Sequence, residues 1–509
     1  MKILEQERKE NEEKYGRAKP ITEKDYIARG VIYLPEQAQF SYLINQSEWS
    51  DIGKTLNDAM KLIEENNHEL NGILPKSYTG LTDSVLINLL RNFNQIPDNI
   101  EGDVFGMIYE YFLGKFALSE WQGGGEFFTP TSLVKLIVNI LEPFKGRIFD
   151  PACGSGGMFV QSAEFVKNNH KNISDVAIYG QEKTGDTVKI AKMNLALHGL
   201  SWDIREWLTH INDLHNSVGQ FDFVMANPPF NMKWLDQEKL KTDPRYPFWV
   251  PSTDNGNYLW IQIFYSTLNS TGRAGFVMAN SASDARGSEM NIRKELVDNS
   301  AVDVMVSVWN NMFFNVTLPC SLWFLDKAKK NTPRKDTILF LDIRSIFRQI
   351  DRAHREFTEE QVQYISNIAR LYRWETLVNF DIYIDSQIEL IQNKIKEYWN
   401  SKDDKAMIQS FEERIKIAKE LKISWETNFK NGYQDIRWLC KVATTEEVKN
   451  QWYSLNSGRY VGITDGIEED FVFEERIEEL SEEFITLTQE SHKLEEKIME
   501  NIGSLFLKK

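Results

Sequence analysis

Two short runs hold residue types that could do chemistry together. Ile148-Phe149-Asp150-Pro151-Ala152-Cys153-Gly154-Ser155-Gly156-Gly157 reads as a buried strand, a glycine turn and the start of a helix over 158–168. Glycines at the carboxyl end of a parallel strand let a ligand approach bare backbone where a side chain would clash, so a site is expected at this turn. The interval G-S-G-G is not the dinucleotide fingerprint and names no nucleotide by itself. Glu182 ends the next apolar run, 177–181, where a carboxylate can accept two hydrogen bonds from a ribose diol; the bland alternative is a solvated helix start beside Lys183. The second run, Asn227-Pro228-Pro229-Phe230, follows residues 221–226. Pro229 keeps Pro228 out of the helical region, so the strand ends in a stiff, extended tip. The Asn227 side-chain oxygen and the Pro228 carbonyl are acceptors for the two hydrogens of an exocyclic amine, and Phe230 offers a face for a ring. Alone, N-P-P-F is a turn; some seventy residues after the glycine turn it reads as the other half of a site.

These tips require strands to carry them. Short apolar runs at 147–150, 177–181, 221–226, 274–280, 302–308, 321–326 and 337–343 alternate with helical segments. That alternation predicts an α/β fold, a doubly wound and mostly parallel sheet covered on both faces. The last two runs are joined only by Lys-Ala-Lys-Lys-Asn-Thr-Pro-Arg-Lys-Asp, too short for a helical crossover, which predicts an antiparallel pair at that edge. Helical texture fills 1–122, around 52–65, 81–93 and 103–118, and returns over 346–509. The predicted organisation is an N-terminal helical domain (1–122), an α/β domain (123–345) and a C-terminal helical region (346–509) with a heptad-like tail at 473–502.

Charge narrows the function. Net charge is −16, the wrong sign for a chain that grips phosphates over a wide area, and 13 acidic against three basic residues crowd between Ile467 and Glu500. There Ile477, Leu480, Phe484, Leu487, Ser491, Leu494 and Ile498 alternate in steps of three and four, a seam for packing along another helix, its own domain's or a partner's. No apolar run reaches a membrane span and the first residues are charged throughout, which predicts a cytoplasmic location and no membrane partner. Cys153, Cys320 and Cys440 fit neither a disulfide framework nor a CxxC metal site, and the seven histidines lack ligand spacing, so no metal is expected. Pro319-Cys320 has the form of a nucleophilic Pro-Cys, but in so apolar a run a buried structural cysteine is the better reading.

Asp150 to Gly157, Asn227 to Phe230 and the preceding Gly-Gly-Gly-Glu126-Phe127-Phe128-Thr129-Pro130 together resemble the amino-methyltransferases of DNA. More narrowly they resemble the modification (methyltransferase) subunit of type I restriction–modification systems, to which Ala28–Pro35, the 104–117 run, Asn310–Phe314 and Gly458–Ile463 are also similar. The resemblance implies an S-adenosylmethionine cofactor bound by Glu126, Phe127, Phe128, Thr129 and Pro130, the last three lining its methionine end. It further places Asp150, Gly154, Ser155, Gly156 and Gly157 around the amino acid moiety, Glu182 on the ribose and Asp213 on the adenine amino group. Asn227, Pro228 and Phe230 would hold a flipped adenine of DNA for methylation at N6. Implied partners are DNA, a specificity subunit carrying the DNA-reading domains, a second copy of this chain and a restriction subunit. Two alternatives stay open: methylation of a protein glutamine amide, and a non-catalytic scaffold of the same fold.

Overall fold

Continuous apolar runs place strands where helices can cover both faces, and among the described residues the computed structural model forms a nine-stranded sheet, seven of its strands from these runs. It describes residues 31–46, 51–94, 129–232, 240–248, 256–309, 319–350, 355–399 and 405–462, with a few single positions besides. In the N-terminal region α1 (Ile52–Asn66) and α2 (Asp83–Asn94) form where helical texture was expected. Asp51 caps α1 by accepting the Lys54 N–H at 2.8 Å. The expected helix at 103–118 and the tail at 473–502 lie outside the described residues.

α3 (Thr131–Leu141) leads into β1 (Gly146–Asp150), α4 (Gly157–Asn168), β2 (Val176–Glu182), α5 (Gly185–Leu197), β3 (Trp202–Glu206) and β4 (Phe221–Ala226). α6 (Asn257–Thr267), β5 (Leu268–Ala279), α7 (Ser288–Asp298), β6 (Val302–Ser307), β7 (Cys320–Asp326) and β8 (Thr337–Asp342) follow. Every residue of β6 and β7 is buried, as expected for strands inside a doubly covered sheet. Strand β3 was not foreseen: Trp-Asp-Ile-Arg-Glu buries only Ile204, because it forms the outer edge and has polar residues facing solvent.

The spatial order is β9-β8-β6-β7-β5-β4-β1-β2-β3, where β9 (Cys440–Thr444) is a strand supplied by the C-terminal region that the sequence reads as helical throughout. β7 runs antiparallel between β5 and β6, and β9 runs antiparallel along β8 at the edge. The antiparallel edge is therefore present, but its expected pair is corrected. β7 and β8 do run oppositely, yet β6 lies between them and pairs parallel with β8, so the ten-residue link steps past a strand.

The C-terminal helices α8 (Glu359–Arg373), α9 (Phe380–Trp399) and α10 (Lys405–Asn428) pack on one another, and α8 packs on α3. Thr358 and Gln361 close a capping box at the start of α8. At its other end Arg373 reaches Asp303 of β6 at 2.8 Å, while Arg334 bonds the other oxygen of Asp303 and also meets Asp326 at 3.3 Å. This buried ion network fastens α8 to the sheet at the end opposite the strand tips. Among the described residues no helix is long and apolar enough to cross a membrane.

Candidate active site

β1 has β2 on one side and β4 on the other, so the chain reverses its winding direction there and a crevice opens beyond the carboxyl ends of these strands. A cavity of about 220 Å³ occupies it. A water needs roughly 10–15 Å³ on such a measure, so the space is that of an organic ligand. Asp150, Gly154, Ser155 and Gly157 form one wall, and Thr129, Glu182 and Asn227 face the same space. Sequence positions separated by almost a hundred residues thus meet in one pocket.

The glycine turn is shaped by conformation and by open room. Gly154 and Gly156 have φ of 51° and 82°, the left-handed region that side chains avoid. A Cβ built on Gly154 or Gly157 would meet nothing within 4 Å, which leaves backbone exposed to whatever fills the cavity. Glu182 secures the turn as well as lining the pocket: Oε2 accepts from the Gly154 N–H at 3.1 Å, and Oε1 from those of Lys183 and Thr184 at 2.8 and 3.2 Å. Asp150 accepts from the Ala152 N–H at 2.9 Å. Burial, with the nearby Glu182 charge adding to it, pushes the Asp150 carboxyl well above its ordinary range. Two acidic side chains in one wall favour a ligand that brings positive charge and hydrogen-bond donors.

Asn227 stands at the tip of β4. Its amide nitrogen donates to Thr129 Oγ1 at 2.9 Å, which ties the β4 tip to the residues that lead into α3. The loop behind it is pinned to α6: Asn231 N–H donates to Asn257 Oδ1 at 2.8 Å, Asn257 Nδ2 donates to Asn231 Oδ1 at 2.9 Å, and Gly256 N–H donates to Met232 O at 2.9 Å. A Cβ on Gly256 would stand 2.9 Å from that of Met232, so the close approach needs glycine.

Other expected residues fall differently. Gly156 and Pro130 shape the starts of α4 and α3 without lining the cavity, and Pro228 is buried behind the tip. Phe230 is only 9% exposed and packs into the sheet's core, so it does not present an open face. Asp213 is outside the cavity lining, and its carboxylate accepts from Ser217 N–H and Oγ at 2.7 and 2.9 Å and from His215 N–H at 3.2 Å, closing its own loop. Glu126, Phe127 and Phe128 lie outside the described residues. Sequence reasoning missed Asn194, which donates to Ser155 O at 2.9 Å, Thr209, which donates to Pro151 O at 2.5 Å, and Trp207 on the pocket wall. Trp207 and Thr209 follow β3, and without that strand no signal could place them. Cys320 begins β7, where burial pushes its thiol up to about 12, and burial likewise raises Cys153. Neither is poised as a thiolate nucleophile.

A mostly parallel sheet with a glycine turn and an N-P-P-F tip around one crevice defines a methyltransferase-type α/β protein. Residues 100–380 match the model of the N-6 DNA methylase family, and residues 1–93 match the HsdM N-terminal domain. The MjaIX methylase subunit of a type I restriction enzyme from Methanocaldococcus jannaschii is 34% identical over 493 residues, covering 94% of this chain and 78% of the relative. The HindI methylase subunit from Haemophilus influenzae is 32% identical, covering 90% and 94%. The crystal structure of a type I restriction-modification system methyltransferase subunit from Streptococcus thermophilus shares the fold at 19% identity, with a TM-score of 0.64 over 84% of this chain and 81% of that one. The chain belongs to the N-6 DNA methylases, among the methylase subunits of type I restriction enzymes, and is therefore a DNA methyltransferase.

Proposed function

We propose that the chain transfers a methyl group from S-adenosylmethionine to N6 of adenine in DNA, beside a separate specificity subunit that reads the sequence. The observation that carries this reading is Asn227, whose amide is oriented by Thr129 on the wall of the cavity that the glycine turn and Glu182 also line. The cavity fits the cofactor: bare backbone at Gly154 and Gly157 accommodates close approach, Glu182 offers oxygens to a ribose diol, and Asp150 offers one to an ammonium group. When bound, S-adenosylmethionine supplies a methyl group on a sulfonium, whose departure as a thioether needs no metal or thiolate.

The target nitrogen is a poor nucleophile because its lone pair is delocalised into the ring. Asn227 Oδ1 and the Pro228 carbonyl accept its two hydrogens, favour a pyramidal nitrogen and stabilise the positive charge that develops there. The base must leave the duplex to arrive, at a cost of a few kcal/mol. For Phe230 to stack on it, the ring must first leave the packing described above. Asp213 would likewise have to exchange its loop bonds to hold the cofactor's adenine. In this reading a second copy of the chain and a restriction subunit complete a cytoplasmic assembly.

The test is incubation of the purified chain, with and without its specificity subunit, with methyl-labelled cofactor and duplex DNA. Label recovered as N6-methyladenine supports the reading. Label in protein glutamine would replace it by amide methylation, and bound cofactor without transfer to either would leave a scaffold.

A further inference from the structure

β6 and β8 end at Ser307 and Asp342, and just beyond them the rings of Trp309 and Phe347 come within 5.8 Å of each other, inclined at 42°. Arg355 lies on a short antiparallel ribbon in which Arg355 pairs with Gln349 and Glu356 with Arg348. Its guanidinium carbon stands 4.4 Å from the Trp309 ring centre and 4.7 Å from that of Phe347. Three other described arginines, Arg344 and Arg348 before it in the chain and Arg414 beside α8, are matched. Arg348 meets Glu356 at 3.4 Å and Glu413 at 3.6 Å, Arg344 meets Asp342 at 2.6 Å, and Arg414 meets Glu360 at 2.8 Å. The Arg355 side chain has no hydrogen bond or ion pair among the described residues, and its Nε is buried without a partner. Partial burial holds its guanidinium below the usual arginine range.

This cation is at the cavity's end of the sheet. β6 and β8 are three and four strands from β4, about 14–19 Å at roughly 4.8 Å per strand. Glu359, just past the ribbon, pairs with Lys135 of α3 at 2.6 Å, and α3 begins at the cavity wall with Thr131.

We infer that Arg355, held flat by Trp309 and Phe347, is the seat of a backbone phosphate of the DNA that carries the target adenine. The inference rests on the reading of the chain as an adenine methyltransferase of DNA and names part of its grip. A planar fork with its inner nitrogen packed away presents two outer N–H groups, the geometry that pairs with phosphate oxygens. In a chain of net charge −16, DNA attraction must come from a few such local cations.

The full chain assembled with its specificity subunit would be titrated with duplex DNA at several salt concentrations. Arg355→Ala is expected to weaken binding roughly tenfold, the scale of one charge-assisted hydrogen bond, and to reduce the salt slope by about one, with S-adenosylmethionine affinity unchanged. Arg355→Lys should restore the slope but not the full affinity. A scan of DNA carrying single methylphosphonate linkages gives a second measurement, independent of how the alanine variant folds. One linkage should weaken the wild-type assembly and leave Arg355→Lys less affected. Unchanged affinity and slope in both variants, with no sensitive linkage, would overturn the phosphate seat. So would loss of the specificity subunit with an unaltered slope, which would make the counter-ion a partner's carboxylate. A wild-type assembly that binds no DNA would instead overturn the functional reading itself.

Discussion

An asparagine can serve a substrate amine only with its oxygen turned to the pocket, and at Asn227 the 2.9 Å bond from its nitrogen to Thr129 decides that orientation. On the proposed reading, in which the lost acceptor serves the amine, Asn227→Ala should abolish methyl transfer while calorimetry finds cofactor affinity nearly unchanged. Equal loss of both would make the tip part of the cofactor's own wall. Thr129→Val, which keeps the shape and removes the hydroxyl, should lower kcat by one to two orders of magnitude, on the scale of a misdirected acceptor. Thr129→Ser should recover it. The residues legible in sequence are those whose chemistry resides in a contiguous run: the glycine turn and the tip were readable because a turn that needs left-handed φ leaves glycines behind. Thr129 was placed at the cofactor only by resemblance, and its bond to a residue 98 positions away had no local trace.

The strands that carry these residues were legible for the same reason that they are central: burial on both faces forces continuous Val, Ile and Phe runs. Edges were not. β3 and β9 each have a face toward polar surroundings, and Cys-Lys-Val-Ala-Thr carries no pattern that separates it from neighbouring helix. Nor does a link's length reveal which strand it passes, hence the misassigned pair. Partnerships between elements also determine how well the tip is held. Asn257 belongs to α6 yet bonds Asn231 in both directions, so Asn257→Ala should let the N-P-P-F loop drift and cost about 10²-fold in kcat, the penalty of roughly an ångström of misplacement. Cofactor affinity should persist; its collapse would show that α6 shapes the pocket rather than the loop.

A second junction of elements, α8 on β6, is electrostatic. Burial alone would raise the Asp303 carboxyl, but Arg373, then Arg334 and Lys329, outweigh it and hold the pKa below the usual aspartate value. A pKa lower in the folded state than in the unfolded chain means stability that is present above about pH 4 and is lost as pH falls through the folded value. Asp303→Asn leaves Arg334 and Arg373 facing no carboxylate there, and should cost about 3–5 kcal/mol at pH 7. Thermal melts should show the gap between wild type and variant narrowing in acid. A constant gap would mean that shape, not charge, holds the junction.

At the scale of the whole molecule, charge and compactness point to the same division. The described residues up to Val461 belong to one compact unit, and the acidic, heptad-patterned segment follows it in the sequence. Like charge concentrated on one helix-forming stretch opposes DNA, whereas an apolar seam flanked by charges suits another helix. Since the glycine turn, Glu182 and Asn227 all belong to the compact unit, deletion from Phe473 onward should leave a folded protein that binds S-adenosylmethionine with its original affinity. It should no longer form a stable complex with the specificity subunit, and sequence-specific methylation should be lost with it. Serine at Leu480, Phe484 and Leu487 should reproduce the defect, because each removes apolar surface from the seam and leaves the acidic face intact. Size-exclusion chromatography of the mixed subunits provides the measurement. Co-elution of the truncated chain at full stoichiometry would return the seam to its own molecule and require another surface for the partner.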